Sequence, residues 1–145
     1  MSKNAKLVAQ RCYRMNPNYP LKVKEEFDKL LRVKFIRRVK HAMWLSLIVV
    51  IPKKNGKIRV CVDYWKLNVA IVTDGFPLPF TDGVLNVVAR HELYIFVDGF
   101  SGYNQIWMHR DDQEKKTFVT EWGVFVVVVM MFGLKTALTT LDNKL

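Results

Sequence analysis

Residues 93–106, Leu-Tyr-Ile-Phe-Val-Asp-Gly-Phe-Ser-Gly-Tyr-Asn-Gln-Ile, place a single acid, Asp98, at the end of a β-forming run and just before a turn rich in glycine and serine. A carboxylate delivered to that place stands at the rim of a sheet. Its hard oxygen atoms suit a divalent metal such as magnesium, which activates a nucleophile or neutralises a reacting phosphate. Most acids that follow a strand do neither and are solvated turn residues. The meaning of Asp98 therefore depends on the company it keeps.

The elements that must position it can be read on both sides. Residues 1–20 are polar, end in Asn16-Pro17-Asn18-Tyr19-Pro20, and form an extended lead-in. Over 21–36, Val23, Phe27, Leu30, Leu31 and Phe35 recur near helical spacing among Lys and Glu, which predicts an amphipathic helix. Residues 45–52 and 57–64 are β-rich runs joined by Lys53-Lys54-Asn55-Gly56, a hairpin signal because Asn and Gly both tolerate positive φ. In the second run Ile58, Val60 and Val62 alternate with Arg59, Cys61 and Asp63, so one face is buried and the other functional or wet. Phe76-Pro77-Leu78-Pro79 is an extended connector, and Thr81 or Asp82 caps a helix reaching about Ala89. A second β pair is expected over 116–120 and 124–131 around Glu121-Trp122-Gly123, and 137–145 begins a helix.

Composition narrows the partners. Half of the 145 residues are hydrophobic and the net charge is +10, so the chain can build a core and favours an anionic partner. Its two cysteines, Cys12 and Cys61, give no disulfide framework, and the histidines His41, His91 and His109 have no metal-ligand spacing. The longest apolar run, 124–132, is too short to span a bilayer. A soluble intracellular chain, cytoplasmic or nuclear, with no membrane partner is expected.

The ordered blocks carry a resemblance. Residues 48–64, Ile-Val-Val-Ile-Pro-Lys-Lys-Asn-Gly-Lys-Ile-Arg-Val-Cys-Val-Asp-Tyr, followed by Lys66-Leu67-Asn68, resemble the fingers hairpin of reverse transcriptases from gypsy-type LTR retrotransposons. The Phe76-Pro77-Leu78-Pro79 connector, the Asp98 stretch, Lys116-Thr117-Phe118-Val119-Thr120 and the 130–134 block match the same family in the same order, from about Asn16 to Leu141. The resemblance implies an RNA-directed DNA polymerase, hence nucleotidyl transfer with Mg²⁺, an RNA or DNA template-primer and a dNTP. It implies that Asp98 is the first metal ligand and catalytic carboxylate. It further implies that Lys53 or Lys54, with Arg59, grips the triphosphate, that Tyr103 lies beneath the sugar and excludes a 2′-hydroxyl, and that Phe132-Gly133 shapes the pocket floor. Without it, Lys53, Lys54 and Lys57 read as a solvated turn and Tyr103 as a packed aromatic.

The same comparison marks what is absent and altered. The pair Asp111-Asp112 lies between Met108-His109-Arg110 and Gln113-Glu114, a polar setting that reads as a surface loop rather than the family's second catalytic motif. That motif, the remaining palm, the thumb and the ribonuclease H domain lie outside these residues. One carboxylate does not make a two-metal site, so the chain alone is expected to be inactive. Trp65, Leu47, Met131, Thr136 and Leu138 replace residues usual in the family, and 126–129 is a run of four valines, an aggregation hazard if exposed. The alternative is a non-catalytic basic nucleic-acid-binding remnant or a decayed transposon-derived protein. The expected fold is α+β: a reverse-transcriptase-like fingers hairpin and helices beside an incomplete antiparallel palm sheet, with 21–145 as one partial domain.

Overall fold

The computed structural model describes residues 15–73, 75, 80–95, 101–137 and 140. Asp98 with its neighbours 96–100, the connector 76–79, Leu138 and the last five residues lie outside the described residues, as does the lead-in before Met15.

Helix α1, Pro20–Arg32, starts on a proline whose missing N–H costs nothing at the first helical position. It ends four residues earlier than the hydrophobic spacing predicts. Lys34 takes φ 59°, its N–H donates to the Leu31 carbonyl, and the Phe35 N–H donates to the Leu30 carbonyl. This is a Schellman stop built on a lysine instead of the usual glycine, so no glycine flagged it. The chain reverses, and Ile36, which the apolar spacing assigns to the helix, instead opens a strand, β1 (Ile36–Val39), whose other residues carry no sequence signal.

Strands β2 (Leu47–Pro52) and β3 (Ile58–Asp63) form the expected antiparallel hairpin, Leu47 facing Asp63 and Ile51 facing Arg59. Its turn differs from the predicted Asn-Gly geometry. Gly56 alone has positive φ, 75°, and its N–H donates to the Lys53 carbonyl, while Asn55 Oδ1 accepts from the Lys57 N–H. One left-handed glycine after a tight turn thus closes a longer loop. After β3, the Asp63 carboxylate accepts the Trp65 N–H and starts a short helix, α2 (Trp65–Ala70), which had no periodicity long enough to be seen in advance. Helix α3 (Thr81–Val88) covers the predicted span, but Phe80 is its N-cap and no side chain caps it: Thr81 and Asp82 lie inside the first turn, and none of the helix's residues is buried.

The Asp111-Asp112 segment is a helical turn rather than a loop. It forms α4 (Arg110–Gln113), capped by His109, with Asp112 bound to Lys115 at 2.7 Å. It continues through a 3₁₀ turn into β4 (Thr117–Thr120), paired antiparallel with β5 (Gly123–Val127). β5 is the centre of a three-stranded antiparallel sheet, order β1-β5-β4. That central position explains the valine run: Val126, Val127 and Val129 are fully buried and Val128 is 7% exposed, so the hazard is covered on both faces.

Phe27 of α1 lies over this sheet, 5.5 Å from Phe118 and 5.9 Å from Phe125 between ring centres. The hairpin joins the sheet through Ser46, whose N–H donates to the Thr117 carbonyl and whose carbonyl accepts from the Val119 N–H. Ile48, Val62, Tyr64 and Leu67 then continue the same core under the hairpin and α2. Among the described residues no helix is long and apolar enough to cross a membrane.

Candidate functional site

Of the residues the sequence singled out, three converge. Tyr103 sits in a 3₁₀ turn, Gly102–Gln105, and the chain beyond it pairs with the strand leading to Phe132. The Met130 N–H donates to the Ile106 carbonyl and the Met108 N–H to the Val128 carbonyl. This ribbon brings Tyr103 edge-on against Phe132, ring centres 4.6 Å apart at 68°. Phe132 is 74% exposed, so the half-buried tyrosine is its support and its outer face is open.

Gly133 follows with φ 93°, a conformation that side-chain-bearing residues rarely adopt. The space around it is ordinary: a Cβ there would meet the Val62 carbonyl at 3.7 Å and the Tyr64 ring at 3.8 Å. The turn is fixed from outside by Asn68 of α2, which sequence reading quoted but gave no role. Asn68 Nδ2 donates to the Gly133 carbonyl at 2.6 Å, and its Oδ1 accepts the Lys135 N–H at 2.8 Å. An amide that satisfies one acceptor and one donor on the same loop locks it in register. Nothing in the local sequence signals this, because the partners are 65 and 67 residues away.

The predicted cations stand apart from this group. Lys53 and Lys54 are exposed in the hairpin turn, and Arg59 is exposed on β3. With about 3.3 Å per strand residue, the turn lies roughly 15–20 Å along β3 from Val62 and Gly133. Lys22 Nζ of α1 reaches the Gly56 carbonyl at 3.4 Å and steadies the arm. The geometry is therefore a cationic arm rooted beside an aromatic floor.

Asp98, the expected catalytic and metal-binding residue, lies outside the described residues. Among the described residues no three His, Cys, Asp or Glu side chains come together, so these residues by themselves do not fit a magnesium site. His41, His91 and His109 are exposed, as expected. One buried charge was missed by sequence reading: Lys116 is 5% exposed and its Nζ makes no hydrogen bond among the described residues. Burial pushes its pKa down to about 8, the carboxylate of Asp112 opposing.

The whole arrangement superimposes on solved proteins. The foamy viral protease-reverse transcriptase in complex with double-stranded DNA matches 96% of the chain with a TM-score of 0.76 at 20% identity. This is the reverse-transcriptase fold. The foamy viral enzyme in complex with an RNA/DNA hybrid matches 92% of the chain with a TM-score of 0.73 at 21% identity. The chain covers 25% and 18% of those two proteins.

The sequence is similar to transposon polyproteins. The transposon Tf2-3 polyprotein of Schizosaccharomyces pombe is 31% identical over 126 residues, 83% of the chain. The retrovirus-related Pol polyprotein from transposon 297 of Drosophila melanogaster is 29% identical over 136 residues, 90% of the chain. The chain spans only 9% and 13% of these polyproteins. No family model matches it.

Proposed function

We propose that the chain is the fingers hairpin and first part of the palm of a gypsy-type retrotransposon reverse transcriptase, the part that receives template-primer and dNTP. The observation that carries this reading is the meeting of Tyr103, Phe132 and Gly133. These residues come from separate blocks of the resemblance and form one floor at the root of the cationic hairpin. In this reading Tyr103 lies under the sugar of the incoming nucleotide and its bulk rejects a 2′-hydroxyl. Lys53, Lys54 and Arg59 approach the triphosphate when the arm leans in, since charge-assisted contacts to phosphate are strong. Asp98 supplies the first carboxylate for magnesium, which activates the primer hydroxyl when a complete site holds it.

The 145 residues supply no second acidic motif, because Asp111 and Asp112 belong to α4. We therefore expect template-primer binding without polymerisation. Two measurements test this. Fluorescence anisotropy with a labelled RNA/DNA primer-template is expected to show binding that weakens steeply as salt rises, and no binding at low salt overturns the assignment of partner. Primer extension on an RNA template with magnesium and dNTPs is expected to yield no product, and measurable extension overturns the expectation of inactivity.

A further inference from the structure

Leu67 and Ile71 at α2, with Met108, Met130 and Leu134, line a cavity of about 200 Å³. An apolar cavity of about 150 Å³ takes up benzene, so this one has room for a ring with a small substituent. Charge sets it apart from a packing gap. Asp112, Lys115 and Lys116 belong to the same wall. Lys115 Nζ donates to Asp112 Oδ1 at 2.7 Å, so those two answer each other. Lys116 is 5% exposed, and among the described residues its Nζ has no hydrogen-bond partner. From α2 and residues 134–140 the wall receives only apolar and hydroxyl side chains, and the Thr140 hydroxyl already donates to the Thr136 carbonyl.

A buried ammonium calls for an acceptor. Burial holds the Lys116 pKa down to about 8, with Lys115 adding to the fall and Asp112 opposing it, so at pH 7 the amine is still mostly charged. Two cations and one acid leave the wall with a single positive charge, which a monoanion balances. A carboxylate accepts short, strong hydrogen bonds from an ammonium because both partners are ionised. An apolar body attached to it would lie against Leu67 and two methionines, whose thioethers adapt to irregular shapes.

We propose that this cavity is a binding site for a small monocarboxylate with an apolar, ring-sized body, its carboxylate on the Lys116 ammonium and its body against Leu67, Met108 and Met130. The site shares no residue with the Tyr103–Phe132 floor or the cationic arm, and it does not depend on the template-primer reading. The test is methyl NMR of the chain labelled at its methionines, titrated with benzoate, benzyl alcohol and benzylamine, which are alike in size and differ in charge. Benzoate is expected to shift the Met108 and Met130 signals saturably and to leave Met43, which lines a different cavity, unmoved. Benzyl alcohol is expected to bind about tenfold more weakly, since it loses a hydrogen bond between charged groups, and benzylamine to cause no shift. Lys116→Leu is expected to erase the preference for benzoate while the methionines still respond to the alcohol. Calorimetry at pH 8 in two buffers of different ionisation enthalpy is expected to show benzoate taking up about half a proton, because the carboxylate completes the charging of the amine. Equal binding of benzoate and benzyl alcohol by the wild type overturns the site, as do a benzoate preference that survives in Lys116→Leu, an absence of proton uptake, and Met43 shifts as large as those of Met108. No saturable shift with any of the three molecules overturns it too. The wild-type comparison and the proton uptake decide the matter even if Lys116→Leu does not fold.

Discussion

Tyr103 and Phe132 meet edge to face with ring centres 4.6 Å apart, though 29 residues separate them in the chain. The contact ties the turn after the Asp98 stretch to the turn at Gly133. An edge-to-face pair contributes about 0.5–1.5 kcal/mol beyond its buried area. A double-mutant cycle with Tyr103→Leu and Phe132→Leu, followed by urea unfolding, is expected to return a coupling energy in that range. A coupling of zero means that the rings touch without holding the two turns together.

Asn68 is the more economical target, because one side chain makes both bonds to the Gly133 turn. Asn68→Ala is expected to cost about 1–3 kcal/mol, read from the urea midpoint at unchanged m-value. Amide exchange at Gly133 and Lys135 is expected to speed up, whereas exchange in β4 and β5 stays as it was. Uniform acceleration throughout the sheet shows that the clamp is not local.

Lys34 occupies a left-handed position at φ 59° after α1. A residue with a Cβ pays roughly 1 kcal/mol there that glycine does not. Lys34→Gly is therefore expected to stabilise the protein by about that amount, seen as a higher melting temperature. A lower melting temperature shows that the lysine side chain contributes more than its backbone costs.

Lys116 is a buried charge whose Nζ has no hydrogen-bond partner among the described residues. Its folded-state pKa, about 8, lies below the ordinary lysine value of 10.5, so folding expels a proton between those pH values. The cost of burying the charged form is present in full below pH 8 and is relieved as pH rises towards 10. From the size of the shift it is on the order of 3 kcal/mol. Lys116→Met is accordingly expected to be more stable than the wild type at pH 7, with the gap closing by about pH 10. Burial pushes the Tyr64 hydroxyl pKa up in both proteins, so its alkaline titration cancels from the difference. A gap that stays constant with pH assigns the gain to packing alone.

Much of the frame is legible in the sequence. The 45–64 hairpin, the start of the first helix at Pro20, the span of helix α3 and the pairing of β4 with β5 follow the sequence pattern, while α1 ends at Arg32 and β5 at Val127, each four residues short of its apolar run. Each is governed by neighbours in sequence: alternation for the strands, 3.6-residue spacing for the helices, and a glycine at the hairpin turn, where Gly56 alone takes positive φ. The misreadings share a cause. Phe35 and Ile36 extend the helix's apolar pattern past its true end, because the stop before them rests on backbone bonds at Lys34. Helix α2 has only six residues, and its start depends on the Asp63 carboxylate.

The site divides in the same way. The sequence by itself determined which residue types stand in which block: the lysines of the turn, Arg59, Tyr103 and Phe132-Gly133. It also determined that the chain carries a strong positive charge. Only the tertiary structure decided that Tyr103 and Phe132 share one contact, that Asn68 fixes the glycine turn, and that the valine run is sealed inside a sheet. It also decided that Lys116 lies buried with no hydrogen-bond partner among the described residues, while Trp65 stays in water. The physical reason is range. Periodicity and turn chemistry act over a few residues and leave their mark in the local sequence. Burial and hydrogen bonding between segments 29 to 67 residues apart depend on where the sheet places them, which no local pattern records.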